Sequence, residues 1–193
     1  AAVLDRAPGL QGHTVLGADM YEADIPVRCR RARVGVELRW RTGPTAIRAE
    51  YIRVAEQRHG EGVDDGDLPP VVYQGWYASG TWALTGETKS KGLDRPLHPL
   101  FRGGVGAVEL AARVEEIAYG ADPNDPAAST AKRSPVVLGN RDLAVTLGVN
   151  WYPTRLIKIQ GNVIREQIAD PSAGPLPGQA AFWSRVLRVQ IGF

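Results

Sequence analysis

FWSRVLRVQIGF, residues 182–193, places Trp183, Leu187, Val189, Ile191 and Phe193 on one side of an extended chain and Ser184, Arg188 and Gln190 on the other. Successive side chains of a strand point to opposite faces, so this run reads as a β-strand with one apolar face. Such a face needs a second sheet or lipid against it. The rest of the chain decides between those two covers.

The same period of two recurs along the chain. In RARVGVELRWRT (31–42), Val34, Val36, Leu38 and Trp40 oppose Arg33, Gly35, Glu37, Arg39 and Arg41. A Gly43-Pro44 turn leads into a second run, where Ile47, Ala49 and Tyr51 oppose Arg48 and Glu50, and the two form a predicted hairpin. From Val71 to about Gly86, Trp76, Ala78, Gly80, Trp82 and Leu84 share a face. Between 107 and 118, Val108, Leu110, Ala112 and Val114 alternate with Glu109, Ala111, Arg113 and Glu115, with an amphipathic helix as the rival reading. The clearest alternation is RDLAVTLGVNWY (141–152), with Leu143, Val145, Leu147, Val149 and Trp151 outward and Asp142, Ala144, Thr146, Gly148 and Asn150 inward. Pro153 turns it into LIKIQGNVIREQ, where Ile157, Ile159 and Val163 oppose Lys158, Gln160 and Asn162. A weaker candidate at 13–24 brings the count to eight strands, and 1–30 is otherwise an N-terminal segment without an assigned element.

Composition narrows the class. The 193 residues are 44% hydrophobic, with no apolar run of the ~18 residues or more that a transmembrane helix requires. Strand spans escape that test because alternation dilutes the apolar signal. Twenty-three basic and 21 acidic residues leave a net charge of +2, too balanced for a general nucleic-acid binder. The single cysteine, Cys29, excludes an internal disulfide and a thiolate metal cluster. The opening AAVLDRAPGL has neither a basic nor a long apolar region, so no signal peptide is expected in the chain as written.

Loop parity supports a membrane barrel. Connections of an up-and-down barrel alternate sides, so with Phe193 on the periplasmic side, counting back puts the loops near 57–70, 119–140 and 169–180 on the outside. The turns at 43–44 and 153–155 then lie on the periplasmic side, where short turns are expected. The long connection at 87–104 is the exception. Trp40, Trp82, Trp151 and Tyr152 fall at periplasmic strand ends, while Tyr73, Tyr119 and Trp183 fall near the other ends, which implies two aromatic girdles, with Phe193 closing the last strand. A soluble β-sandwich is the competing fold, because alternation alone is common to both.

The inward faces carry the candidate solute contacts. Arg33, Arg39, Arg48, Arg113, Lys158 and Arg188 project from alternate strand positions, and guanidinium and ammonium groups in a pore favour anions. Glu37, Glu50, Glu109 and Glu115 share those faces, so cross-strand ion pairing is the competing role. No metal site is expected: His13, His59 and His98 lack ligand spacing, and VDDGDL (63–68) lacks the closing glutamate of a calcium loop. FRGGVGA (101–107) has no phosphate-loop lysine, and no nucleophile and base stand in a suitable frame. Neither an enzyme nor a cofactor is expected.

Four segments, GWYASGTWALTGE (75–87), VELAARVEEI (108–117), LGVNWYP (147–153) and LRVQIGF (187–193), resemble in order and spacing the C-terminal half of the phosphate-selective porin O/P family. The resemblance covers about residues 71–193. It implies an all-β, antiparallel up-and-down barrel of sixteen strands in the bacterial outer membrane, of which about eight are visible here, so that residues 1–193 read as one barrel domain or the C-terminal portion of one. It further implies a homotrimer in lipid that passes small anions, phosphate among them, without a cofactor. The family's central phosphate-binding residues do not map onto this chain position by position. The alternative is a small closed barrel of eight strands, its lumen filled by ion pairs, serving as a structural or anchoring subunit.

Overall fold

The computed structural model describes residues 25, 27, 28, 30–90, 95–121, 137, 139–176 and 178–192. The candidate strand at 13–24, Cys29, His13, Phe193 and most of the 119–140 loop lie outside the described residues. Among the described residues there are seven strands: β1 (Arg31–Thr42), β2 (Thr45–Arg58), β3 (Leu68–Ala83), β4 (Ala107–Ala121), β5 (Asn140–Thr154), β6 (Ile157–Ile168) and β7 (Ala181–Ile191). Their order in space is their order in sequence, every pairing between them is antiparallel, and among the described residues β1 and β7 each keep one free edge. The sheet is therefore an open meander. The 107–118 segment is strand, not helix, because its period of two puts Glu109, Arg113 and Glu115 on one face; a helix would scatter them.

Register sorts every side chain to a face. Leu38, Ala49, Ala78, Val114 and Val145 form one continuous cross-strand row on the outward side. The next row toward the short turns is Trp40, Ile47, Gly80, Ala112, Leu147 and Val163. These large apolar groups stand exposed, Leu147 at 62% and Leu187 at 76%, while the few buried apolar residues gather elsewhere. A water-soluble sheet hides this face, and none of the described segments covers it. The finding favours lipid over the sandwich reading.

The belt runs oblique to the strands. Trp40 on β1 lies in the row of Ile47 and Gly80, Trp82 on β3 lies one row nearer the short turns, and Trp151 on β5 one row further again. One row per two strands is two residues, about 6.8 Å along the chain, against about 9.6 Å across it, a slope of about 35°. That is the strand tilt of membrane barrels, about 35–45°. On β5 the outward positions from Leu143 to Trp151 span eight residues, which projects to about 22 Å at that tilt, close to the ~25 Å apolar band of such barrels.

The two ends of the sheet differ. At the long-loop end, Ile25, Val27, Val54, Val71, Tyr73 and Val137 form a small apolar cluster on the inner side, with Tyr73 stacked on Tyr119 at 6.3 Å. The segment carrying Ile25 and Val27 is tied down where the Arg28 amide donates to Gln57 O at 2.9 Å and the Gln57 amide donates to Arg30 O at 3.0 Å. At the other end the turns at Gly43-Pro44 and Arg155-Leu156 are tight, and Gly43 takes a positive φ of 47°. The long connection there is held against the rim. The Lys89 amide donates to Gly43 O at 2.9 Å, the Gly106 amide to His98 O at 2.9 Å, and Trp151 Nε1 to Val105 O at 2.8 Å. Gly106 has a φ of 77°, and a Cβ there would run into the Tyr152 carbonyl, so only glycine fits.

Candidate functional site

The inner face is zoned by charge. Glu37, Glu50, Tyr77, Glu115, Ala144 and Glu166 form one cross-strand row, and the adjoining row toward the short turns is Arg39, Arg48, Ser79, Arg113, Thr146 and Ile164. Like charges directly opposite repel. Relief comes along the strands: Arg39 pairs with Glu37, and Arg113 Nη2 lies 2.6 Å from Glu115 Oε2. Arg113 also caps the Tyr77 ring at 3.9 Å, a cation–π contact that fixes its guanidinium further.

Toward the short-turn end the balance shifts to net positive charge. A basin of about 520 Å³ is lined by Arg41, Arg48, Ser79, Thr81, Lys89, Glu109, Tyr152 and Lys158. Lys89 arrives from the connection after β3, not from a strand, and pairs with Glu109, both side chains being nearly buried. Glu109 is held from its other side, where Asn150 Nδ2 donates to its Oε2 at 2.8 Å, and Gln160 Nε2 in turn donates to Asn150 Oδ1 at 2.6 Å. Lys158 Nζ sits 5.2 Å from the Tyr152 ring centroid. Among the described residues, Arg41, Arg48 and Lys158 have no carboxylate bonded to them. Among the described residues, four basic groups meet one carboxylate here, which leaves three of them without a bonded counter-charge.

All six predicted contacts lie on the inner face by register, but they are not one cluster. Arg48 and Lys158 line the basin. Arg39 and Arg113 are engaged by glutamates in the row above, Arg33 stands opposite Val54 nearer the long loops, and Arg188 stands opposite Gln160 on β7. Arg41 and Lys89 were not among the predicted contacts. Arg41 follows from the same alternation as Arg39, whereas Lys89 had only the excess length of its connection to mark it.

The predicted girdle also divides. Trp40, Trp82 and Trp151 lie on the outward face along the short-turn border, and Trp183 lies outward opposite Arg165 near the long loops. Tyr152 is a correction: it pairs with Ala107 on the inner face and lines the basin, because it neighbours the outward Trp151 and strand side chains alternate. Tyr73 and Tyr119 are corrected likewise, since they stand opposite one another on the inner face, against the apolar cluster, and not in an outward girdle.

Among the described residues no group of histidine, cysteine, aspartate or glutamate is arranged to hold a metal ion. The family model for phosphate-selective porins O and P matches residues 17–172, beginning well before the stretch that carried the resemblance and ending before β7. Porin O of Pseudomonas aeruginosa is 28% identical over 134 residues, which are 68% of this chain and 28% of that relative. The match therefore spans just over a quarter of the relative's length. An all-β meander with an oblique lipid-facing belt, a charged inner face and a family match over most of its residues make the chain a bacterial outer-membrane protein of the phosphate-selective porin O and P family.

Proposed function

We propose that these strands form part of the wall of a passive diffusion channel that favours small anions, phosphate among them. The observation that carries the reading is the basin on the inner face, where, among the described residues, Arg41, Arg48 and Lys158 have no carboxylate bonded to them. Fixed cations in a wet pore replace part of an anion's hydration, and a solute held by several weak contacts still leaves. The free edges of β1 and β7 are completed by further strands of the same wall, and the assembled protein is a homotrimer, as in the family reading. Transport of this kind needs no catalytic group and no cofactor.

The test is conductance of the complete chain in a planar bilayer, with reversal potentials under phosphate and chloride gradients. Anion selectivity that falls when Arg48 and Lys158 are neutralised supports the reading. A folded, heat-modifiable sample that passes no current overturns it. That result would favour a closed structural barrel, a reading that draws on the Arg39–Glu37 and Arg113–Glu115 pairs and the apolar cluster at the long-loop end.

A further inference from the structure

The outward face carries cations where it meets the long loops and none on the outward strand positions at its other border. Glu116 on β4, Arg165 on β6 and Arg185 on β7 step down the sheet row by row, in the same sense as the tryptophan line at the opposite border. Glu116 is paired with Arg141 at 3.8 Å. Among the described residues Arg165 and Arg185 have no such partner on this face: Arg165 stands opposite Trp183, its guanidinium 5.8 Å from the ring centroid, and Arg185 stands opposite Val163. They are diagonal neighbours across β6 and β7, roughly 7–8 Å apart at the backbone.

Beside them the belt is hollowed. A trough of about 740 Å³ crosses β2 to β6 where Gly80, Ala112 and Gly161 leave space between Ile47, Trp82, Leu110, Leu147, Val149 and Val163. Its end at Val163 is the residue facing Arg185. Two guanidiniums and an apolar channel thus share one edge. A forked cation suits a phosphate monoester, and the trough suits a hydrocarbon chain.

We propose that the outward face of the sheet binds a phosphorylated, multiply acylated lipid of the outer leaflet, Arg165 on β6 and Arg185 on β7 engaging its phosphates and the trough across β2 to β6 taking an acyl chain. The proposal rests on the outer-membrane reading. Its occupant is set by charge complementarity: an uncharged or zwitterionic lipid offers two adjacent guanidiniums much less.

The experiment is native mass spectrometry of the complete chain released from detergent with bis-phosphorylated, hexa-acylated lipid A, alongside its dephosphorylated form. The wild-type protein should retain the phosphorylated lipid, and R165A/R185A should lower retention on the order of tenfold, the loss of about one charge-assisted hydrogen bond. Dephosphorylation should weaken retention by the wild-type protein to a similar extent, a result that holds even where the variant folds poorly. Equal retention of both lipids overturns the proposal. So does Gly161→Leu if it dissociates the oligomer while leaving lipid retention intact, because the trough is then a protein interface. Bilayer conductance on the same samples separates the two readings: a conducting protein that retains no lipid sinks this site alone, and a lipid-retaining protein that never conducts sinks the channel alone.

Discussion

Arg39 and Arg48 stand directly opposite one another across β1 and β2, one step from Glu37 and Glu50, which also face each other. Two like-charged pairs in succession are unfavourable in isolation and persist where water or a solute screens them. Arg39 is spent on Glu37, which leaves Arg48 as the member of its pair that faces the basin. Neutralising Arg48 to Gln removes an interaction of about 1 kcal/mol with a contacting anion at wet-pore dielectric, a change of roughly fivefold. The anion-to-cation permeability ratio, read from the reversal potential in a salt gradient, should fall by about that factor, while Arg39→Gln should change it less.

Lys89 and Glu109 test whether the connection after β3 is structural. Both side chains are nearly buried, so Lys89→Ala leaves a carboxylate without its counter-charge and should destabilise the folded barrel by about 3 kcal/mol. Replacing both, as K89M/E109Q, should recover most of that loss, since no charge then remains buried. The midpoint of guanidinium unfolding in detergent measures each variant, and equal midpoints for Lys89→Ala and the wild-type protein contradict the pairing.

Leu147 and Thr146 test the face assignment at one level of the belt. Leu147 is outward and 62% exposed, whereas Thr146 lies inward opposite Arg113. Arginine at a lipid-facing midplane position costs about 2–4 kcal/mol. Leu147→Arg should therefore depress folding into lipid vesicles, scored by the heat-modifiable band, and Thr146→Arg should fold nearly as well as the wild-type protein. Equal behaviour of the two variants would count against a lipid-facing belt.

Gly106 tests the anchoring of the long connection at the rim. Its φ of 77° and the approach of the Tyr152 carbonyl leave no place for a Cβ. Gly106→Ala should cost about 1–3 kcal/mol, the usual range for backbone strain of this kind, and should raise amide exchange through 98–106. Unchanged exchange there would show that the connection is not held in this way.

Two loop carboxylates at the long-loop end respond to acid. Asp67 accepts hydrogen bonds from His59 Nδ1 at 2.8 Å and from the Gly60 amide at 3.1 Å; these hold its pKa below the usual carboxylate value. Asp170 is lowered by Ser172, whose hydroxyl and amide both donate to it. A carboxylate with a lowered folded pKa stabilises fully above its unfolded value of about 4 and loses that contribution as pH falls through the folded one. Hydrogen exchange between pH 5 and pH 2 should show loosening of 59–67 and 170–174 ahead of the strands. Asp67→Asn should remove the pH dependence in the first loop alone.

The strands were legible in the residues because their signal is local. β1 follows from the alternation of Val34, Val36, Leu38 and Trp40 with Arg33, Glu37 and Arg39, and β5 from Leu143 through Trp151, since a side chain's face depends on its own backbone. The family was legible as well, although its match reaches further toward the N-terminus than the four quoted segments. Tyr152 departs from the expected girdle because parity relative to Trp151, and not aromatic character at a strand end, sets its face.

What required the three-dimensional arrangement is everything that joins distant segments. Register across seven strands turns isolated arginines into a row beside a row of glutamates, and no spacing along one strand sets which residue of the next stands opposite. The same register shows the belt to be oblique and sets Arg185 beside Val163. Lys89 enters the basin because hydrogen bonds to Gly43 and within the connection fold that segment against the rim, a long-range packing outcome with no periodic trace in the sequence. Local alternation decides which side chains face inward, and the pairing of strands decides which of them meet.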